Sequence, residues 1–283
     1  ENKRALFIDP AGTVTRVIEA PVSELIPEQF AFIPVSAVED SRGYTFVLSK
    51  GSYYGAMIFT EDDTFFGFYG ANRVTTNVFT AFQRFMDILF RSDVKRKAEV
   101  RKLPFEFNDL CIGPSDFIYT VTSTTPSRTG QVKKLSPGGD NVLTYKGSYA
   151  SYSAEYYRFG DLGGFIRDTG TVIVNRFVSI DIDEREFMYV LDAEYGKVFV
   201  YDTDCNLISA FGGGLGSGNQ VGTFRRASSL VVNGEDLLVS DLDKGTLTVF
   251  SRTPFGRQVL DAQYLTLQGE YEASLDLWQR VSS

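Results

Sequence analysis

Between Phe177 and Gly212, apolar residues fall into short runs separated by polar breaks. Val178–Ile182 alternates, Asp183–Glu186 interrupts it, and Phe187–Leu191 is a second run. After Ala193–Gly196 comes Val198–Tyr201, and after Asp202–Asn206 comes Leu207–Phe211, closed by Gly212. Short period-two runs joined by polar turns predict a four-stranded antiparallel meander. One such meander cannot bury both of its faces, whereas radial stacking against copies of itself covers them.

The pattern recurs. In Ser228–Thr253, Leu230–Val232 matches Ile180–Ile182, Leu237–Asp241 matches Met188–Asp192, and Gly245–Phe250 matches Gly196–Tyr201. Ile33–Gly70 is an earlier copy, with Ser36 standing where Ser179 and Ser229 stand and Tyr69-Gly70 mirroring Phe211-Gly212. Phe107–Leu143 is another, in which Thr122 replaces the acidic residue found at Asp192 and Asp241. Arg4–Ile18 matches only the second half of a unit, so the chain is expected to begin in mid-blade. Tyr149–Val174 reads as either a degenerate extra strand pair or a long loop. Fixed-period repeats of this kind predict an all-β propeller of five or six blades, the first incomplete unless the C-terminal side supplies its missing strands.

Two segments break the period. Thr76–Lys102 places Val78, Phe82, Phe85, Met86 and Leu89 at helical spacing, with basic residues from Arg91 to Lys102 at its far end. This predicts an inserted amphipathic helix that caps the propeller; a helix lying on a membrane is the competing reading. Gln258–Ser283 is also helical in pattern and predicts a helical hairpin, with Gly269 allowing close crossing and Tyr271, Ser274, Leu275 and Trp278 as the packing stripe. The expected division is therefore a propeller over 1–257, with an insertion at about 76–102, and a helical module from 258.

Composition fits this reading and narrows the partners. The 24 Phe, 15 Tyr and 26 Gly suit short strands and tight turns. A formal charge of −8 argues against nucleic acid and anionic membrane surfaces as main partners. No apolar run reaches the roughly 18 residues that cross a bilayer, and the first residues lack a signal core. Cys111, in a strand, and Cys205, in a turn, have no metal-ligand spacing and read as structural thiols.

The units resemble NHL repeats, with Tyr189-Val190-Leu191-Asp192, Leu238-Val239-Ser240-Asp241, Lys197–Asp202 and Asn2–Asp9 carrying the likeness. Phe211-Gly212 and Gly222-Thr223-Phe224 fit the blade-to-blade connection of that family. Leu265–Val281 resembles a tetratricopeptide repeat, with Ser274 where that family commonly has Ala. The arrangement is similar to NHL proteins of Gram-positive gut bacteria, which implies an extracellular propeller, further helical repeats and a membrane tether outside this chain.

Lyases on NHL-like propellers use histidine, and this chain has none. That removes their zinc ligands and base, as well as Ser–His–Asp and Cys–His catalysis. A calcium-dependent hydrolase of the gluconolactonase type remains as the alternative, built on carboxylates such as Asp181/Asp183/Glu184, Asp202/Asp204 and Glu61/Asp62/Asp63. Most of these fall on turns, where Asp satisfies backbone donors. Asp192 and Asp241, and likewise Asp9 and Asp202, share repeat positions and read as structural acceptors. The expected function is a non-catalytic protein- or glycan-binding scaffold, monomeric, with no cofactor and no metal. An assembly element for the adjoining helical repeats is a further alternative. The candidate binding residues are Tyr149, Tyr152, Tyr156 and Tyr157, amphipathic rings that suit sugar or peptide contacts.

Overall fold

The computed structural model describes residues 3–26, 30–52, 54–70, 106–123, 130–145, 155–161, 165–166, 172–214 and 220–282. The expected helix at 76–102 lies outside the described residues.

The chain opens with an antiparallel pair, β1 (Ala5–Ile8) and β2 (Val14–Ile18). A four-stranded meander follows: β3 (Pro34–Glu39), β4 (Thr45–Ser49), β5 (Gly55–Phe59) and β6 (Phe65–Gly70). The second blade holds β7 (Phe107–Ile112), β8 (Ile118–Thr122) and β9 (Val132–Leu135). Two short pairs come next, β10 (Thr144–Tyr145) with β11 (Glu155–Tyr156) and β12 (Phe165–Ile166) with β13 (Val172–Ile173). The third blade is β14 (Phe177–Ile182), β15 (Met188–Asp192), β16 (Lys197–Tyr201) and β17 (Leu207–Gly214), with β18 (Thr223–Phe224) added in parallel to β17. The fourth is β19 (Ala227–Asn233), β20 (Asp236–Asp241) and β21 (Thr246–Ser251). The first strands β3, β7, β14 and β19 pack one against the next, so the blades stand side by side. Because β7 meets β14 directly, the strand pairs between residues 144 and 173 lie outside this series. The molecule is mostly β with several sheets and two C-terminal helices, an arrangement consistent with a propeller.

One turn geometry recurs. After Asp9, Asp40, Thr60, Gly113, Ser136, Asp183 and Asp202, the third residue on donates its N–H back to the carbonyl of the first. That third residue has positive φ each time: Gly12, Gly43, Asp63, Asp116, Gly139, Glu186 and Cys205. This is a type I turn closed by a left-handed residue, the common longer hairpin connection. Where the first residue is Asp, its carboxylate accepts the N–H groups two and four residues on: Ala11 and Thr13, Arg42 and Tyr44, Arg185 and Phe187, Asp204 and Asn206. Turn chemistry thus accounts for these carboxylates, and for Cys205 lying in a turn.

A second device marks the start of every blade. Each inner strand shifts register at the same place, between Pro34/Ser36, Phe107/Asp109, Phe177/Ser179 and Ala227/Ser229. Opposite these bulges stand Ser49, Thr122, Asp192 and Asp241. Asp192 accepts Arg176, Glu194 and Tyr195 N–H and the Asn175 amide; Asp241 accepts Arg225, Arg226, Asp243 and Lys244 N–H. Each pins the incoming chain to the hairpin tip. Ser49 does a lesser version, accepting Ile33 N–H at 2.9 Å.

The apolar residues form layers between blades. Ile18 and Phe32 pack with Val47, Met57 and Phe59; Phe46 and Leu48 face Leu110 and Leu135. Val121 and Val132 face Val190 and Phe199, and Tyr189 and Val200 face Leu230 and Val239. The outer faces of the first pair (Leu6, Ile8, Val17) and of the last blade (Val231, Leu247, Val249) are exposed. Helices follow β21, and among the described residues β1 and β2 form a two-stranded sheet.

The first helix, α1 (Pro254–Gln268), starts four residues before the expected boundary, because Thr253 caps Gly256 N–H and Pro254 fits the first turn. Gly269 serves as its left-handed C-cap (φ 81°), not as a close-crossing point. Helix α2 (Tyr271–Ser282) turns Ser274 inward, where its hydroxyl donates to Ala262 O and meets Thr266 Oγ1. Trp278 Nε1 donates to Thr266 Oγ1. Tyr271 and Leu275, expected in the packing stripe, are exposed, since the helix is rotated to favour these hydroxyl contacts.

Asp192→Ala and Asp241→Ala should each lower stability by about 2–4 kcal/mol, because several N–H donors lose a shared, buried acceptor. Asp9→Ala, at an exposed turn, should cost about 1 kcal/mol or less. Urea unfolding of the three variants checks the order.

Candidate functional site: the grooves between blades

Tyr149 and Tyr152 lie outside the described residues, and Tyr156 sits in β11 opposite Thr144. Tyr157 packs half-buried against the core between the second and third blades, and its carbonyl accepts Gly130 N–H. Burial pushes both thiols up, Cys205 to about 12 and Cys111 well above its ordinary value, so neither is an activated nucleophile. Among the described residues, no group of His, Cys, Asp and Glu could hold a metal ion.

Asp181 departs from the turn reading. It lies on inner strand β14, where it accepts Val232 N–H from β19 at 2.7 Å. It belongs to an arc of bonds that joins the inner strands. Ser36 donates to Leu110 O; Asp109 accepts Ser179 Oγ at 2.6 Å and Ile180 N–H at 3.2 Å; Ser179 in turn accepts Leu230 N–H. Burial raises both Asp109 and Asp181 above the usual carboxylate range, despite these donors. Sequence reasoning missed Asp109, although its signal was present: it occupies the repeat position held elsewhere by Ser36, Ser179 and Ser229.

On the side of the molecule bearing the Asp40, Asp183 and Asp202 turns, a groove runs between each pair of neighbouring full blades. The register makes the three grooves equivalent. Phe46 and Ile58 pair across β4 and β5 as Tyr189 and Val200 pair across β15 and β16. Ile118 stands where Leu237 stands, and Arg42 holds the turn position of Arg185.

The grooves have diverged. In the middle one, Lys134 reaches across to Glu186 at 3.0 Å, its ammonium over the rings of Phe117 and Tyr119. Over the last one lies α1: Leu260 enters the apolar layer, Arg185 binds Asp261 and stacks on Tyr264, and Arg257 pairs with Glu235. Beneath the helix remains a cavity of about 410 Å³ floored by Tyr189, Val200, Phe211, Leu237 and Phe250. The first groove encloses about 420 Å³ over Phe46, Ile58, Tyr69 and Ile118. Its rim carries Phe66, 69% exposed, and Arg42, whose guanidinium folds onto buried Asp40 and over Tyr44.

A polar cluster in the second blade was also missed. Lys133 pairs across the sheet with Thr120, where the third blade has Phe199 and Val190, and Thr122 lies two residues along on the same face. All three are buried, and the Thr120 and Thr122 hydroxyls find no hydrogen-bond partner among the described residues. Burial brings the Lys133 ammonium down to about 8, with the Phe107 ring 5.2 Å away.

No family model matches the chain, and no curated protein matches it. Among solved structures it is similar to virginiamycin B lyase from Staphylococcus aureus, at 8% identity and a TM-score of 0.46, covering 88% of this chain and 63% of the lyase. A protein of unknown function from Bacteroides caccae gives 10% identity and 0.42, over 88% of this chain and 69% of that one. An auxiliary nutrient binding protein from Bacteroides thetaiotaomicron gives 7% and 0.42, over 77% and 41%.

The buried Lys133 sets a pH dependence. Its folded value, about 8, lies below the ordinary 10.5, so the folded state disfavours the charged form. The Lys133 contribution to stability should be flat below about pH 8 and rise as the pH climbs from there toward 10.5. Lys133→Met should raise stability at pH 7 by about 1–3 kcal/mol and abolish that rise, read from urea midpoints across the range.

Proposed function

We propose that this protein is a non-catalytic recognition module, an NHL-type propeller that binds another protein through the groove between its first two full blades. Supporting this most directly is the divergence of three equivalent grooves: one is bridged by an ion pair, one is covered by a helix, and the first, crossed at its rim only by Ser41 and Asp116, is covered by no helix among the described residues. Recognition by a rigid scaffold needs a concave, apolar floor with a few oriented polar groups, and the first groove offers both. The interblade layers and the arc through Asp109 and Ser179 hold that groove in shape. In this reading α1 and α2 begin a tetratricopeptide-like module, and the protein works outside the cell, tethered through segments beyond this chain.

Glycan binding through Tyr149, Tyr152 and Tyr156 is the weaker form of the same reading, since Tyr157 is tied into the core. The hydrolase alternative draws on Asp109 and Asp181, raised carboxylates on adjacent inner strands. Both spend carboxylate oxygens on neighbouring backbone N–H groups, which favours a structural role.

Titration with calcium should leave the melting temperature unchanged, and lactone substrates should not turn over. A calcium-linked rise of several degrees together with turnover that disappears in Asp109→Asn or Asp181→Asn would replace the recognition reading with the hydrolase.

A further inference from the structure

We propose that the open first groove is a docking site for an amphipathic helix of another protein, one that presents a basic residue a turn before a Leu-acid pair. This deepens the recognition reading above and rests on it; the template comes from inside the molecule.

Helix α1 shows what the last groove takes. Arg257, Leu260 and Asp261 meet, in that order, acidic Glu235, the apolar layer, and basic Arg185. Apolar anchors with flanking charges on one face are the general form of helix-in-groove recognition. The first groove repeats the same three features. Asp116 lies in the turn corresponding to that of Glu235, which is one residue shorter, while Ile118 stands where Leu237 stands and Arg42 where Arg185 stands. Asp116 is exposed and accepts the Ser41 N–H and hydroxyl, which leaves carboxylate lone pairs for an incoming cation; the Arg42 side chain is 63% exposed.

Two differences between the grooves accompany α1, and among the described residues no helix covers the first. Ile208 packs against the apolar layer under α1, whereas Phe66, its counterpart on β6, is exposed. In the third blade Arg252 pairs with Asp183 at 2.8 Å and leaves Arg185 to bind Asp261. In the first blade Arg42 occupies Asp40 itself, at 2.6 Å, and presents its outer face to solvent. A planar guanidinium has donors enough to keep Asp40 and accept a second carboxylate from an incoming helix. The charge order, the apolar floor and the uncovered Phe66 together specify the occupant.

The test uses the whole chain and a fluorescent peptide with the sequence of residues 253–269, held helical by a lactam on its solvent face. Anisotropy should show saturable binding that weakens at least tenfold for Arg42→Glu and for Phe66→Glu. A peptide carrying Asp261→Lys should fail on the native chain and recover on the Arg42→Glu chain, which a purely structural effect of Arg42 would not produce. The thermal melt of Phe66→Glu should match the native chain, because that side chain is exposed; Arg42→Glu takes the ion pair from buried Asp40 and should melt lower, so its binding is read well below its own melting temperature. No binding, or binding indifferent to Arg42→Glu, overturns the inference. Binding that is lost in Arg185→Glu but kept in Arg42→Glu also overturns it, since the peptide would then be displacing α1. Sedimentation that reveals self-association sensitive to Arg42→Glu and to Asp276→Lys would give the groove to α2 of a second copy, and overturns the claim of a separate partner. Failure of the peptide leaves the broader recognition reading standing, which falls if calcium-dependent turnover is found or if a second copy fills the groove.

Discussion

A twisted four-stranded meander has two apolar faces and can cover neither by itself, and that constraint organises this molecule. Each of the first three blades shares one apolar layer with the sheet before it and another with the blade after, while the fourth shares only the layer before it. Phe199 and Val190 of the third blade face back, while Tyr189 and Val200 face forward. Burying side chains of this size contributes roughly 1.5–3 kcal/mol each, so the layers dominate the stability of the stack. Layers alone do not set how far one blade slides along the next. The arc through Ser36, Asp109, Ser179 and Asp181 does, because each bond ties a named atom of one inner strand to the backbone or side chain of its neighbour.

The same requirement explains why so many carboxylates are structural. A stack of hairpins exposes many turn N–H groups, and Asp at the first turn position satisfies two of them at once. Asp192 and Asp241 serve one geometry in two dielectric settings. For Asp192, burial outweighs its donors and raises the carboxyl above its ordinary value. For Asp241, burial acts the same way but the donors outweigh it, and the value falls. Repeated acidic residues are thus a signature of turn chemistry, and function is better sought where one blade departs from the others.

The departures are few. The second blade replaces an apolar pair with Thr120 and Lys133, and the three grooves on the turn side have taken three different fillings. Repetition gives each groove the same floor, while single substitutions at the rim decide what it accepts. Lys134 closes one groove, Leu260 and Asp261 of α1 cover another, and Phe66 and Arg42 frame the open one. Conservation of shape with divergence of rim chemistry is how a repeat scaffold acquires distinct surfaces.

Strands, turns and their repetition were legible in the sequence because they depend on local periodicity and on the backbone preferences of Asp and Gly. The positions of β14 to β17, the roles of Asp9, Asp192, Asp202 and Asp241, and the helical C-terminus all follow from residues near one another in the chain. Tertiary structure decided the rest, where residues distant in sequence meet. That Asp181 reaches Val232, that Tyr271 and Leu275 stay exposed while Ser274 turns inward, and that Tyr157 belongs to the core depend on how elements are placed, not on their own pattern. Equivalence of Arg42 with Arg185 could be read from the repeat. Only the folded chain shows that one of them holds Asp261 and the other faces solvent, because a groove exists only between two blades and is filled only by a third element.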